Sequence, residues 1–114
     1  MNAAILIALA EPNRLRIVEL LRDGPRPVGE IAERLGLGQP QASKHLRVLR
    51  AAGIVEVRPI AQQRVYQLQA QSFQELDTWV DTFRQVWENR LDTLDAYLQE
   101  LKKSQPNRGE YKQE

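Results

Sequence analysis

Residues 38–55, GQPQASKHLRVLRAAGIV, decide the fold. Wound at ~100° per residue, the stretch sorts into two faces. Ala42, Leu46 and Leu49 recur at spacings of four and three and predict a face turned to a core. Pro40, Ser43, Lys44, Arg47 and Ala51 fall on the opposite arc, with Arg50 at its edge. The stretch holds no acid, and His45 is the only histidine of the chain. An outward face that is short, basic and polar suits a negatively charged surface.

The flanking segments turn that helix into a recognisable unit. Residues 2–10 predict a short helix ended by Glu11-Pro12, since proline restricts the residue before it and opens helices well. PNRLRIVELLRDG predicts a second helix over 12–22, with Leu15, Val18 and Leu21 along one side and Ile17 and Leu20 filling it out. RPVGEIAERLGLG predicts a third, from near Pro27 to Gly36, and Gln39-Pro40 restarts a helix that closes at Gly53. Two short helices joined by a glycine-containing turn of about three residues have the pattern of a helix-turn-helix, whose second helix lies in a major groove.

After Gly53, IVEVRP and QRVYQLQ alternate β-branched or aromatic residues with polar ones, which predicts a β-hairpin with residues 59–63 between the strands. A hairpin directly after a recognition helix is a wing. Its tip would carry Gln62, Gln63 and Arg64, within reach of phosphates or a minor groove. The predicted fold class is therefore mainly α with a small β-hairpin, a winged helix-turn-helix followed by a long C-terminal helix.

That last helix starts at SFQE, read as a capping box with Ser72 as N-cap and Glu75 three residues on. From Leu76 the apolar residues Val80, Phe83, Trp87, Leu91, Leu94, Leu98 and Leu101 follow at spacings of 4, 3, 4, 4, 3, 4 and 3. This is a near-heptad seam of about seven turns. Three short helices cannot cover it, so a second chain is the expected cover. Residues 1–101 read as one DNA-binding and dimerisation domain, and 102–114 as a polar, flexible tail.

Charge is distributed unevenly. Residues 1–69 hold ten Lys/Arg against six Asp/Glu, whereas residues 70–114 hold six against nine. Between Arg34 and Arg64 there are six basic residues and one acid, Glu56, so the middle of the chain is electropositive. With no cysteine there is no disulfide framework and no thiolate metal site. The apolar run Ala3–Ala10 is far below the roughly 20 residues that span a bilayer. It also has no basic segment ahead of it, so the expected location is the cytoplasm. No Ser/His/Asp arrangement, phosphate-cradling glycine loop or metal-ligand cluster occurs, and a lone histidine is a poor catalytic group. The chain reads as a non-enzyme without cofactor.

LIALAEPNRLRIVELL followed by VGEIAERLGLGQPQASKHLRVLRAAGIVEVR resembles the ArsR/SmtB family of bacterial winged-helix repressors over residues 6–68. The long helix with FRQVWENRLDTLDAYL resembles a subgroup of it that lacks the metal sites. The resemblance implies a homodimer that binds double-stranded DNA through the helix at 39–52, with the hairpin at 54–68 as wing. It puts Gln39, Gln41, Ser43, Lys44 and His45 at positions that touch bases and phosphates. Pro40, Arg47 and Arg50 of the same helix, and Gln63 and Arg64 of the wing, complete the expected DNA surface. It also puts the first and last helices at the dimer interface, with Ile5, Leu6 and Leu9 on one and Val80, Phe83, Trp87, Leu91, Leu94 and Leu98 on the other.

Departures from the family pattern bear on the signal. Where metal-sensing relatives carry paired thiolates in the third helix, this chain has Pro27 and Gly29, neither of which can ligate through a side chain. The last helix offers Asp77, Asp81, Glu88, Asp92 and Asp95 but no histidine, a set that reads as the solvated face of an amphipathic helix. The expected function is a sequence-specific regulator, a repressor on a palindromic operator, that does not respond to metal. The alternative is a dimeric protein-interaction module with vestigial DNA affinity. Relatives often carry glycine at the wing tip; its absence here predicts a wider or differently shaped turn. Trp79, Phe83 and Trp87 either pack the interface or line a pocket for an apolar small-molecule effector.

Overall fold

The computed structural model describes residues 1–104. The chain forms α1 (Ala3–Leu9), α2 (Pro12–Leu21), β1 (Arg26–Pro27), α3 (Val28–Leu35), α4 (Gln39–Ala51), β2 (Val55–Ile60), β3 (Gln63–Leu68) and α5 (Ala70–Ser104). Residues up to Asp77 make one compact unit, and α5 from Thr78 onward makes a second.

Local chemistry sets the helix ends. The Asn2 side chain accepts from the Ala4 amide at 2.9 Å to open α1, and Glu11 accepts from the Arg14 amide at 2.9 Å to open α2, with Pro12 in its first turn. Helix α3 stops at Gly36, whose φ of 67° is left-handed, and the Leu37 amide then donates to the Ala32 carbonyl at 2.9 Å. Helix α4 closes at Gly53 in the same manner (φ 77°), with the Ile54 amide donating to Leu49.

Ile17, Ile31, Leu46, Leu49, Ile54 and Val55 are fully buried and form the centre of a core shared by α1–α4, β2 and β3. The core face expected of α4 is realised, because Ala42, Leu46 and Leu49 are all sealed from solvent. Two apolar residues sit otherwise than the pattern suggested. Leu15 is 43% exposed, since Ile17, Val18 and Leu21 already occupy the inner side of α2. Ile5, expected at the dimer interface, is 4% exposed and fills the chain's own core, whereas its neighbours Leu6 and Ile7 face out.

The sheet has three strands in the order β1-β3-β2, all antiparallel. The added strand is only Arg26–Pro27, paired with Tyr66 and Val65, and is too short to leave a periodic signal. The wing is tighter than expected. Ile60 faces Gln63 across a two-residue turn, with Ala61 at φ 47° and Gln62 at φ 67°. Both central residues are left-handed, as the favoured hairpin turn with right-handed strand twist requires, so the turn forms without glycine at some conformational cost.

Helix α5 begins two residues ahead of Ser72, so Ser72 is not its N-cap. Its side chain is 7% exposed, and its hydroxyl donates to the Gly53 carbonyl just after α4. At 35 residues, α5 is about 52 Å long and continues through Lys102, Lys103 and Ser104, which were expected to belong to the tail. The rest of that tail, 105–114, lies outside the described residues.

Candidate nucleic-acid interface

The turn at 36–38 is short because Gly36 reverses the chain and Gly38 extends it into α4, so α3 and α4 form the predicted pair. From α4, Gln39, Pro40, Gln41, Lys44, Arg47 and Arg50 are exposed, and Ser43 is half-buried beside them. On the wing, Gln62, Gln63 and Arg64 are exposed.

The fold brings these residues together in two concavities. One, of ≈420 Å³, lies between the wing tip and the starts of α3 and α4 and is lined by Gln39, Gln62, Gln63 and Arg64 with Pro27 and Gly29. The other, of ≈150 Å³, joins Ser43, Arg47 and Arg50 of α4 to Arg64 of β3. Residues 24 positions apart in sequence, Gln39 and Gln63, thus share one site.

Ion pairing separates the available cations from the neutralised ones. Glu30 holds both Arg26 (2.8 Å) and Arg34 (3.2 Å), and Glu56 holds Arg58 (3.5 Å). Lys44, Arg47, Arg50 and Arg64 have no ion pair among the described residues. The basic middle of the chain therefore resolves into four free cations on α4 and the wing. Their charge is not neutralised by ion pairing, although Glu30 lines the same concavity as Arg64, and three of the four lie on the side of α4 that the helical projection singled out.

His45 sits at the edge of α4, away from the DNA-facing position to which the resemblance assigned it. Its Nδ1 lies 3.6 Å from Glu11 Oε2, and its side chain is only 16% exposed. The same Glu11 oxygen caps α2 through the Arg14 amide. His45 therefore links the recognition helix to α2 and offers little surface to DNA. Sequence reasoning missed this pair because its members are 34 residues apart and neither sits in a motif.

On α5, the seam from Val80 to Leu98 is open to solvent in the single chain, from 42% at Val80 to 62% at Trp87, while Leu76 and Leu101 are half-buried. Trp79 and Phe83 meet edge to face, with centroids 5.0 Å apart and planes at 73°. A contiguous apolar stripe of this length is unusual on a surface that stays uncovered. Among the described residues there is no cluster of three or more potential metal ligands, and no helix is long and apolar enough to cross a membrane.

Comparison with known proteins agrees with this geometry. Residues 9–58 match the model of a helix-turn-helix domain family. The chain is 45% identical over 76 residues to the HTH-type transcriptional regulator Rv2034 of Mycobacterium tuberculosis, covering 67% of this chain and 71% of that one. It is 30% identical over 84 residues to the transcriptional repressor SdpR of Bacillus subtilis, covering 74% and 93%. Among solved structures it is similar to the homodimeric winged helix-turn-helix DNA-binding domain of Mb0332 from Mycobacterium bovis, described as a possible ArsR-family regulator. That likeness has a TM-score of 0.61 and 31% identity, and covers 79% and 81% of the two chains. Fold, free cations and relatives converge on DNA-binding regulation and not on enzymatic chemistry. The chain belongs to the ArsR/SmtB family of winged helix-turn-helix transcriptional regulators.

Proposed function

We propose that this chain is a homodimeric repressor that reads a palindromic operator with two copies of α4 and does not respond to metal. The observation that carries the reading is the set of four cations, Lys44, Arg47, Arg50 and Arg64, left without ion pairs among the described residues on α4 and the wing. Phosphates are their natural partners, and the glutamines at the start of α4 stand where groove contacts concentrate. Dimerisation is supported by the exposed seam of α5 and by the homodimeric state of the Mycobacterium bovis relative. Repression is supported by SdpR, named a repressor.

Related by a two-fold, the two α4 helices enter successive major grooves about 34 Å apart, which makes the operator an imperfect palindrome. Pro27 and Gly29 have no side-chain donor, so the third helix offers nothing to a thiophilic metal.

The test is selection of genomic fragments on the purified protein, followed by anisotropy titration of the winner against scrambled competitor at two salt concentrations. A palindromic site bound ~10³-fold or more above competitor is expected. Weak binding that ignores sequence and vanishes with salt would contradict the proposal and favour a protein-interaction role.

A further inference from the structure

The ≈150 Å³ concavity between α4 and β3 has a floor of Leu46 and Tyr66 and a rim of Ser43, Arg47, Arg50 and Arg64. Two periodicities build it. Positions 43, 47 and 50 share one side of a helix, and positions 64 and 66 share one face of a strand. Three guanidinium-bearing residues thus surround one small space, and none has a carboxylate partner among the described residues. No carboxylate lines the concavity to balance the three charges, so the arrangement suits an anion from outside the chain.

An arginine fork fits both a phosphate and the edge of a guanine. Location decides between them. With α4 in the major groove and the wing over the adjacent minor groove, the ridge separating the two grooves is the sugar-phosphate backbone. That ridge must pass between helix and strand, where the concavity lies. We propose that Arg47, Arg50 and Arg64 close on one and the same backbone phosphate in each half-site, with the Ser43 hydroxyl as a further donor. Helix and wing are then two jaws of a single clamp, and the phosphate between them sets the register in which α4 meets the bases. The inference rests on the DNA reading above and deepens it.

The test scans the operator with single methylphosphonates, each of which removes one phosphate charge, and compares the wild type with R50A/R64A. Both arginines are exposed, so the substitutions leave the core intact. The wild type is expected to lose about tenfold or more at one scan position per half-site. The double variant loses affinity on unmodified DNA, loses clearly less than the wild type at that position, where only Arg47 and Ser43 still hold the phosphate, and stays as sensitive as the wild type elsewhere. Its salt slope falls by no more than about one unit per half-site, because a single phosphate is shared. Undiminished sensitivity at every position, or a slope lower by two units per half-site, would mean separate phosphates and would overturn the clamp. If the double variant binds the operator normally while inorganic phosphate at constant ionic strength displaces the wild type from DNA, the site serves a free anion and the clamp is again overturned. A wild type that does not prefer its operator over scrambled DNA would overturn the DNA reading itself.

Discussion

Lys44 extends from the exposed side of α4 with no ion pair among the described residues, and it is not part of the arginine-lined concavity. Lys44→Ala is therefore expected to weaken operator binding about tenfold and to flatten the salt slope by about one unit per half-site. Anisotropy titrations across a KCl series read both quantities, and an unchanged slope would remove Lys44 from the phosphate contacts. Ser72 tests a different link. Its hydroxyl satisfies the Gly53 carbonyl in a part-buried site, so Ser72→Ala should cost about 1–3 kcal/mol in urea unfolding. A methyl group at Gly53 would meet Ser72 Oγ at 3.3 Å and would also force a left-handed alanine, so Gly53→Ala should cost at least as much. At this scale the sequence was readable where a side chain's role follows from its own helix: Ala42, Leu46 and Leu49 inward, Lys44 and Arg47 outward. It was unreadable where the role comes from a distant partner, as for His45 with Glu11 or Ser72 with Gly53.

Among the elements, the helices are legible because burial imprints a period of about 3.6 on runs of seven residues or more. The two-residue β1 is too short to imprint anything, and its Arg26-Pro27 sequence argues against a strand to any propensity rule. The wing turn is tighter than its sequence suggests for a related reason. Glycine is the usual sign of left-handed turn residues, and here Ala61 and Gln62 adopt that conformation because the register of β2 on β3 demands it. Replacing them with Asn-Gly, which tolerate positive φ, is expected to stabilise the fold by about 1 kcal/mol in a thermal melt. A lowered melting temperature would show that the turn is not strained. Along α5, a charge placed in the seam tests the dimer. Leu94 is 52% exposed in the single chain, so Leu94→Glu should leave that chain's fold unharmed while converting the dimer to monomer in sedimentation equilibrium. A dimer mass that persists would place the interface elsewhere.

For the whole molecule, the proposed dimer would join two α4 helices, double the number of phosphates engaged and tie affinity to the spacing of two half-sites. Because Pro27 and Gly29 stand where metal-sensing relatives of the family carry thiolates, Zn(II), Ni(II) or EDTA should leave the operator isotherm superimposable. A shift of the midpoint with any of them would reveal a site built from other groups. The most direct measurement is a hydroxyl-radical footprint of the selected operator. Two protected patches of equal depth are expected, related by a two-fold and centred about 10 base pairs apart on one face of the duplex. One continuous patch without symmetry, or protection indifferent to sequence, would contradict a homodimer that reads two half-sites through α4.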